Sequence, residues 1–184
     1  MHKNANPFSD ALCLDGAQMI GSYLRRAVGN GEDLEARYYM SLGATLCMMG
    51  MSMSGGLYAH SVSFVVGKYK PTPHGVGVSL GLPYLMAFNL PVVSAKLAKI
   101  AAALGEPIWM YSEQEAAKRA IHAVKSLMAD IGLPVALKDY GISENDLPDM
   151  ANMMIKLYPR PMNPRAMDQE GSMTYWRNMW NGTL

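Results

Sequence analysis

Cysteine, net charge and strand-like alternation are all scarce in this chain. Two cysteines, Cys13 and Cys47, sit in apolar surroundings without a Cys-x-x-Cys motif. They exclude a disulfide framework and read as buried free thiols of a cytoplasmic protein. Formal charge is +1, charged residues make up 17% of the chain, and acids and bases are interspersed. No basic face marks a nucleic-acid partner. The stretch from Tyr38 to Gly67 holds no Asp, Glu, Lys or Arg at all. Ser and Gly recur through it, Gly55-Gly56 interrupts it and His60 lies inside, so it reads as a buried pair of helices and not as a membrane span. No Gly-x-Gly-x-x-Gly fingerprint is present, which removes the usual signature of a dinucleotide-binding turn. The amino terminus, MHKNANPFSD, is polar and lacks the apolar core of a signal peptide.

What is present is helical periodicity along nearly the full length. Pro7 opens a run from Phe8 to Val28, with Leu12, Met19, Tyr23, Leu24 and Ala27 near one face and Gly29 as a stop. Asp33 is a good N-cap for a second helix running to Ser54. In that helix Gly43, Cys47, Gly50 and Ser54 form a stripe of small residues that lets another helix approach closely. The methionines at 48, 49, 51 and 53 read as core filler, because unbranched side chains fill irregular gaps; their spacing wraps around the helix and does not suit a copper site.

A third helix covers about Gly56 to Tyr69, and Lys70-Pro71-Thr72-Pro73 forms a turn. A fourth begins near His74 and reaches Phe88; Pro91 opens a fifth, Val92 to Leu104, ended by Gly105. Ser112 with Glu115 has the form of a capping box for a helix to Ile131, with Ala117, Ile121, Val124, Met128 and Ile131 facing inward. A helix from Ser143 or Asp146 to Tyr158 follows, then a Pro-rich stretch and a last helix to Trp180. Leu133–Leu137 carries the one weak strand pattern. The reading is a single all-helical domain, residues 1–184.

His60 and His74 stand out as metal-ligand candidates. They are 14 positions apart in the sequence and converge only if the third and fourth helices fold back around the Pro71–Pro73 turn. Two lone histidines in an apolar domain are otherwise hydrogen-bonded core or rim residues. The remaining candidates have simpler readings. His2 is a solvated terminal side chain, and His122 faces solvent off the apolar stripe of its helix. Asp10 and Asp15 serve capping and surface pairing. Ser61 and Ser63 show no acid-supported triad.

The order His60, then Pro73-His74-Gly75, then Leu82-Pro83-Tyr84-Leu85-Met86-Ala87-Phe88-Asn89 resembles the metal-binding signature of the iron-containing alcohol dehydrogenases. Ala5-Asn6-Pro7 with Asp10-Ala11-Leu12, Gly31-Glu32-Asp33-Leu34-Glu35-Ala36-Arg37, Ile131-Gly132-Leu133-Pro134, Tyr140-Gly141-Ile142 and Asn163-Pro164-Arg165 fall in the order of that family. The resemblance implies an all-α fold like the C-terminal domain of the dehydroquinate synthase-like and iron-containing alcohol dehydrogenase proteins. It also implies Fe(2+) or Zn(2+) held partly by His60 and His74. In a complete enzyme it implies NAD(P) and a small alcohol or aldehyde substrate.

The family completes its site with an Asp-x-x-x-His motif. By the spacing to Asn6-Pro7 that motif falls before Met1, as does the nucleotide-binding domain. Phe64 stands where many relatives have a further histidine on the cofactor side, and it cannot relay a proton. The chain is therefore expected to be the metal- and substrate-binding half of an NAD(P)-dependent oxidoreductase, inactive alone, with a non-catalytic helical oligomerisation module as the alternative. An apolar surface cut at a cofactor cleft favours a homo-oligomer.

Overall fold

The computed structural model describes Met1–Leu184 and is helical throughout, with no strand. In order, the helices are α1 (Pro7–Gly29), α2 (Leu34–Ser54), α3 (Tyr58–Tyr69), α4 (His74–Ala103), α5 (Glu113–Asp130), α6 (Leu147–Leu157) and α7 (Gln169–Asn181). A short 3-10 turn, Glu144–Asp146, leads into α6. The chain forms two compact units: Met1–Gly55 with Val93–Gly132, and Gly56–Val92 with Leu133–Leu184.

In the first unit the helix ends are set by local chemistry. The Asn6 side chain accepts from the backbone N–H groups of Phe8 and Ser9, and the Ser9 hydroxyl accepts from Asn6 N–H, closing a capping box with Pro7 in the first turn. Asp33 caps α2 by accepting from Ala36 N–H at 3.0 Å. Ser112 and Glu115 close the capping box of α5.

The stripe of small residues on α2 does find its partner, which is α1. A Cβ placed on Gly50 would lie 2.5 Å from Cys13 Sγ, and one on Gly16 would lie 2.5 Å from Cys47 Sγ and 2.8 Å from the Gly43 carbonyl. The two thiols are free and half-buried. Burial pushes the Cys47 thiol up to about 11.

Three expectations change here. The buried face of α2 is Ala36, Gly43 and Gly50, so Met48, Met49 and Met53 lie outside it and are exposed, not core filler. His2 is buried and not solvated: Ala5 N–H donates to His2 C=O, closing a turn that seats the imidazole against Gly55, where no Cβ stands in its way. Leu133–Leu137 forms no strand; Leu137 N–H instead donates to the Met179 carbonyl at 3.0 Å. The expected fourth and fifth helices follow one another within α4 and meet at a kink at Val93 (φ −138°, ψ 22°), two residues after Pro91. By length and composition α4 would suffice to cross a bilayer, although half of its most apolar window is buried within the protein.

The second unit holds the larger apolar core. Val62, Val65 and Val66 of α3 are fully buried with Leu80 of α4, Leu147, Met150 and Met154 of α6 and Trp176 and Met179 of α7. Each such side chain contributes about 1.5–3 kcal/mol relative to exposure. Within this unit the indole Nε1 of Trp176 is buried without a hydrogen-bond partner, whereas the buried amides pair with each other. Asn163 Nδ2 donates to Asn89 Oδ1 at 2.8 Å and to the Arg165 carbonyl, while Asn89 Nδ2 returns a bond to Asn163 Oδ1 at 3.2 Å. This pair ties the end of the Leu82–Asn89 segment to the Asn163-Pro164-Arg165 turn.

Candidate metal centre

Between α3 and α4 lies the turn Lys70–Pro73. Lys70 Nζ donates to the Tyr140 carbonyl at 2.7 Å and sits 4.3 Å from the centre of the Tyr140 ring. Thr72 Oγ1 donates to Lys70 C=O and accepts from Tyr140 Oη. With the turn pinned at both ends, α4 folds back on α3. Gly77 permits the close approach: a Cβ there would lie 2.7 Å from both Cα and Oγ of Ser63. Gly81 does the same one turn on, beside Val62 and the Tyr175 hydroxyl.

This packing brings His60 and His74 together, with ring centroids 5.6 Å apart and planes inclined at 46°. His60 is half-buried and His74 is exposed at the first turn of α4. The basicity of His60 is lowered by burial first, then by the nearby Arg160 guanidinium and His74. All three favour the neutral imidazole, the form that carries a metal-binding lone pair. A Cβ on Gly75 would meet nothing within 4 Å.

Phe64 sits at the rim and is 43% exposed, so it is not a core residue. Its ring packs 5.9 Å from His74 and 5.3 Å from Tyr158. His122 is exposed, and Asp15 is exposed. Asp10 pairs with Lys96 Nζ at 2.9 Å in the first unit. None of these joins the two histidines. No group of three or more His, Cys, Asp or Glu side chains gathers anywhere in the chain.

The sequence reading missed Arg160 and weighed Ser63 only as a nucleophile, not as a partner of His74. Arg160 Nε donates to Ser61 Oγ at 3.0 Å, and Ser61 Oγ donates to the Tyr158 carbonyl at 2.8 Å, which fixes the guanidinium beside His60. Ser63 Oγ lies 3.0 Å from His74 Nδ1 and donates to the His74 carbonyl at 3.1 Å. Both contacts join residues far apart in sequence, and no local pattern announces them.

The C-terminal model of the Fe-containing alcohol dehydrogenase family matches residues 1–179. The chain belongs to that family. It is 37% identical over 168 residues to the 1,3-propanediol dehydrogenase of Citrobacter freundii, an alignment covering 91% of this chain and 43% of that enzyme. It is 33% identical over 164 residues to the NAD-dependent methanol dehydrogenase of Bacillus methanolicus, covering 89% of this chain and 43% of that one. A crystal structure of 1,3-propanediol oxidoreductase superposes with a TM-score of 0.93 at 35% identity, over 97% of this chain and 47% of that chain. An alcohol dehydrogenase from Oenococcus oeni gives 0.91 at 32% identity, over 96% and 46%. The chain thus spans less than half the length of these relatives, and its all-helical fold is that of the family's C-terminal part.

The two imidazoles of this chain are donors that suit a borderline divalent ion. Neutral imidazole suits ferrous and zinc ions alike. Two imidazoles fall short of the three protein ligands that catalytic centres take.

Proposed function

We propose that this chain supplies the metal- and substrate-binding half of an NAD(P)-dependent oxidoreductase acting on a small alcohol or aldehyde. His60 and His74 are the ligands it contributes to Fe(2+) or Zn(2+). The observation that carries this reading is the convergence of those two imidazoles across the α3–α4 turn, at the positions the family motif requires. A bound divalent ion would supply Lewis-acid polarisation of the substrate oxygen. The residues of this chain do the rest. Ser63 and Gly77 set His74 against α3, burial and then Arg160 favour the neutral form of His60, and Phe64 offers an apolar face beside His74. Phe64 holds no proton, so proton exchange at this rim runs through another group or through water.

By itself the chain is expected to bind Fe(2+) or Zn(2+) weakly and to show no NAD(P)-linked oxidation of simple alcohols. Without a cofactor held in place, the proximity contribution of roughly 7–11 kcal/mol is lost. We place the protein in the cytoplasm as a homo-oligomer, with no nucleic-acid or membrane partner.

The test is complementation. The nucleotide-binding half of the Citrobacter relative, with its Asp-x-x-x-His motif, is supplied in trans with iron and NADH, and aldehyde reduction is followed. Activity that appears with the native chain and disappears with His60→Ala and with His74→Ala supports the reading. Activity of the 184-residue chain alone that survives His74→Ala would overturn it.

A further inference from the structure

His74 reaches Ser63 through Nδ1, and the same hydroxyl reaches the His74 backbone carbonyl. A serine hydroxyl has one hydrogen and two lone pairs. If that hydrogen goes to the carbonyl, the oxygen is left to accept, and Nδ1 must carry the proton it donates. Both contacts are then satisfied. If the hydrogen goes to Nδ1 instead, the 3.1 Å approach to the carbonyl brings two acceptors together and one bond is lost. Ser63 is nearly buried, at 6% exposure, so water does not readily replace the missing bond. The hydroxyl occupies the space that a side chain at Gly77 would fill, since a Cβ there would lie 2.7 Å from Ser63 Oγ.

We infer that Ser63 is a positioning residue for His74: its hydroxyl holds the imidazole as the Nδ1–H tautomer and leaves Nε2 as the ring's only lone-pair donor. Hydrogen bonds made by one ring nitrogen decide which form the other presents to a metal. Ser63 therefore acts through His74 and touches neither metal nor substrate. The inference rests on the metal-ligand reading for its purpose, but the tautomer exists without a metal and is measured without one.

The experiment uses the full chain labelled with 15N, metal-free, at about pH 8 where imidazoles of ordinary basicity are neutral. Long-range proton–nitrogen correlation then reports which ring nitrogen of His74 is protonated. The expected result is a protonated Nδ1 in the native chain. In Ser63→Ala the ring should shift toward the Nε2–H form, and Ser63→Cys, with a weaker hydrogen-bonding group, should lie between. Zn(2+) affinity should fall about tenfold or more in Ser63→Ala, as is typical for loss of an outer hydrogen bond to a ligand.

An unprotonated Nδ1 in the native chain overturns the inference whether or not the variants fold. So does a Ser63→Ala chain in which Nδ1 stays protonated. Zn(2+) that perturbs neither histidine while Nδ1 carries the proton would sink the metal reading and leave the tautomer assignment supported.

Discussion

Two helix pairs in this protein approach each other through glycine, and they use the space in different ways. Between α1 and α2, the missing side chains of Gly16 and Gly50 make room for two thiols, Cys47 and Cys13. A half-buried free thiol behaves as a small hydrophobe, and with only a long 4.0 Å approach of Cys47 Sγ to the Cys13 carbonyl this contact is mainly packing. Between α3 and α4, Gly77 and Gly81 make room for hydroxyls, those of Ser63 and Tyr175. Tyr175 Oη donates to the Gly81 carbonyl at 2.8 Å, and Ser63 bonds His74. The same device therefore serves cohesion in one place and the aiming of an imidazole in the other.

The largest effects should come from filling those gaps. Gly16→Val and Gly77→Val would each put a Cβ within 3 Å of neighbouring atoms, and each should cost about 3 kcal/mol. Denaturant melts measure this. The two should differ in function: Gly77→Val displaces the turn carrying His74 and should weaken metal binding beyond its cost in stability, whereas Gly16→Val should not. Equal losses of metal affinity in the two variants would break the distinction.

Next comes the buried amide pair that closes the far end of the Leu82–Asn89 segment. Asn89→Ala leaves Asn163 Nδ2 with one partner fewer and removes the acceptor of Arg165 N–H. The expected loss is about 1–3 kcal/mol, read from the midpoint of chemical unfolding.

Alkaline pH should also separate the two contacts. In the first unit the Cys47 thiol is pushed from 9.0 up to about 11 by burial and then by Cys13. In the second, burial raises the Tyr84 phenol from 10.0 to about 12, and its hydroxyl donates to the Val135 carbonyl. The folded chain thus holds these protons after the unfolded chain has released them. Their stabilisation is complete below pH 9 and declines as pH rises, through 9 to 11 for Cys47 and 10 to 12 for Tyr84. Cys47 should accordingly react slowly with a disulfide reagent at about pH 8 compared with a free thiol. Reaction at the free-thiol rate would contradict the packing assigned to it.

The smallest expected effect is a gain. Gly67 lies within α3, exposed, and a Cβ there would meet nothing within 4 Å. Gly67→Ala should stabilise the helix by about 0.5–1 kcal/mol, seen as a modest rise in Tm.

Much of this organisation was legible in the sequence because it is local. Asp33 and the Ser112–Glu115 pair set helix starts through side-chain bonds to residues three positions away, and Pro7 opens α1 through its fixed φ; all three read correctly. The small-residue stripe of α2 was also legible, since its spacing follows the helical repeat. The methionines beside it misled: the hydrophobic count of α2 is high all round, and composition cannot say which face is covered. Pro91 suggested a new helix, and the kink at Val93 two residues on is where that helix begins. At the proposed centre, the family motif pointed to His60 and His74, and the fold brings their ring centroids to 5.6 Å. The contacts of Ser63 and Arg160 stayed hidden because their partners lie 11 and 99 residues away, where only tertiary packing brings them into reach.

The account turns on whether His60 and His74 act as one metal site. Cobalt(II) is titrated into the full chain supplemented with the upstream half of a relative, and the ligand-field absorption is recorded. The account predicts a band characteristic of nitrogen ligation that requires both histidines and is lost in His60→Ala and in His74→Ala separately. A band of undiminished intensity and affinity in either variant would show that the two imidazoles, close as they are, do not share a metal.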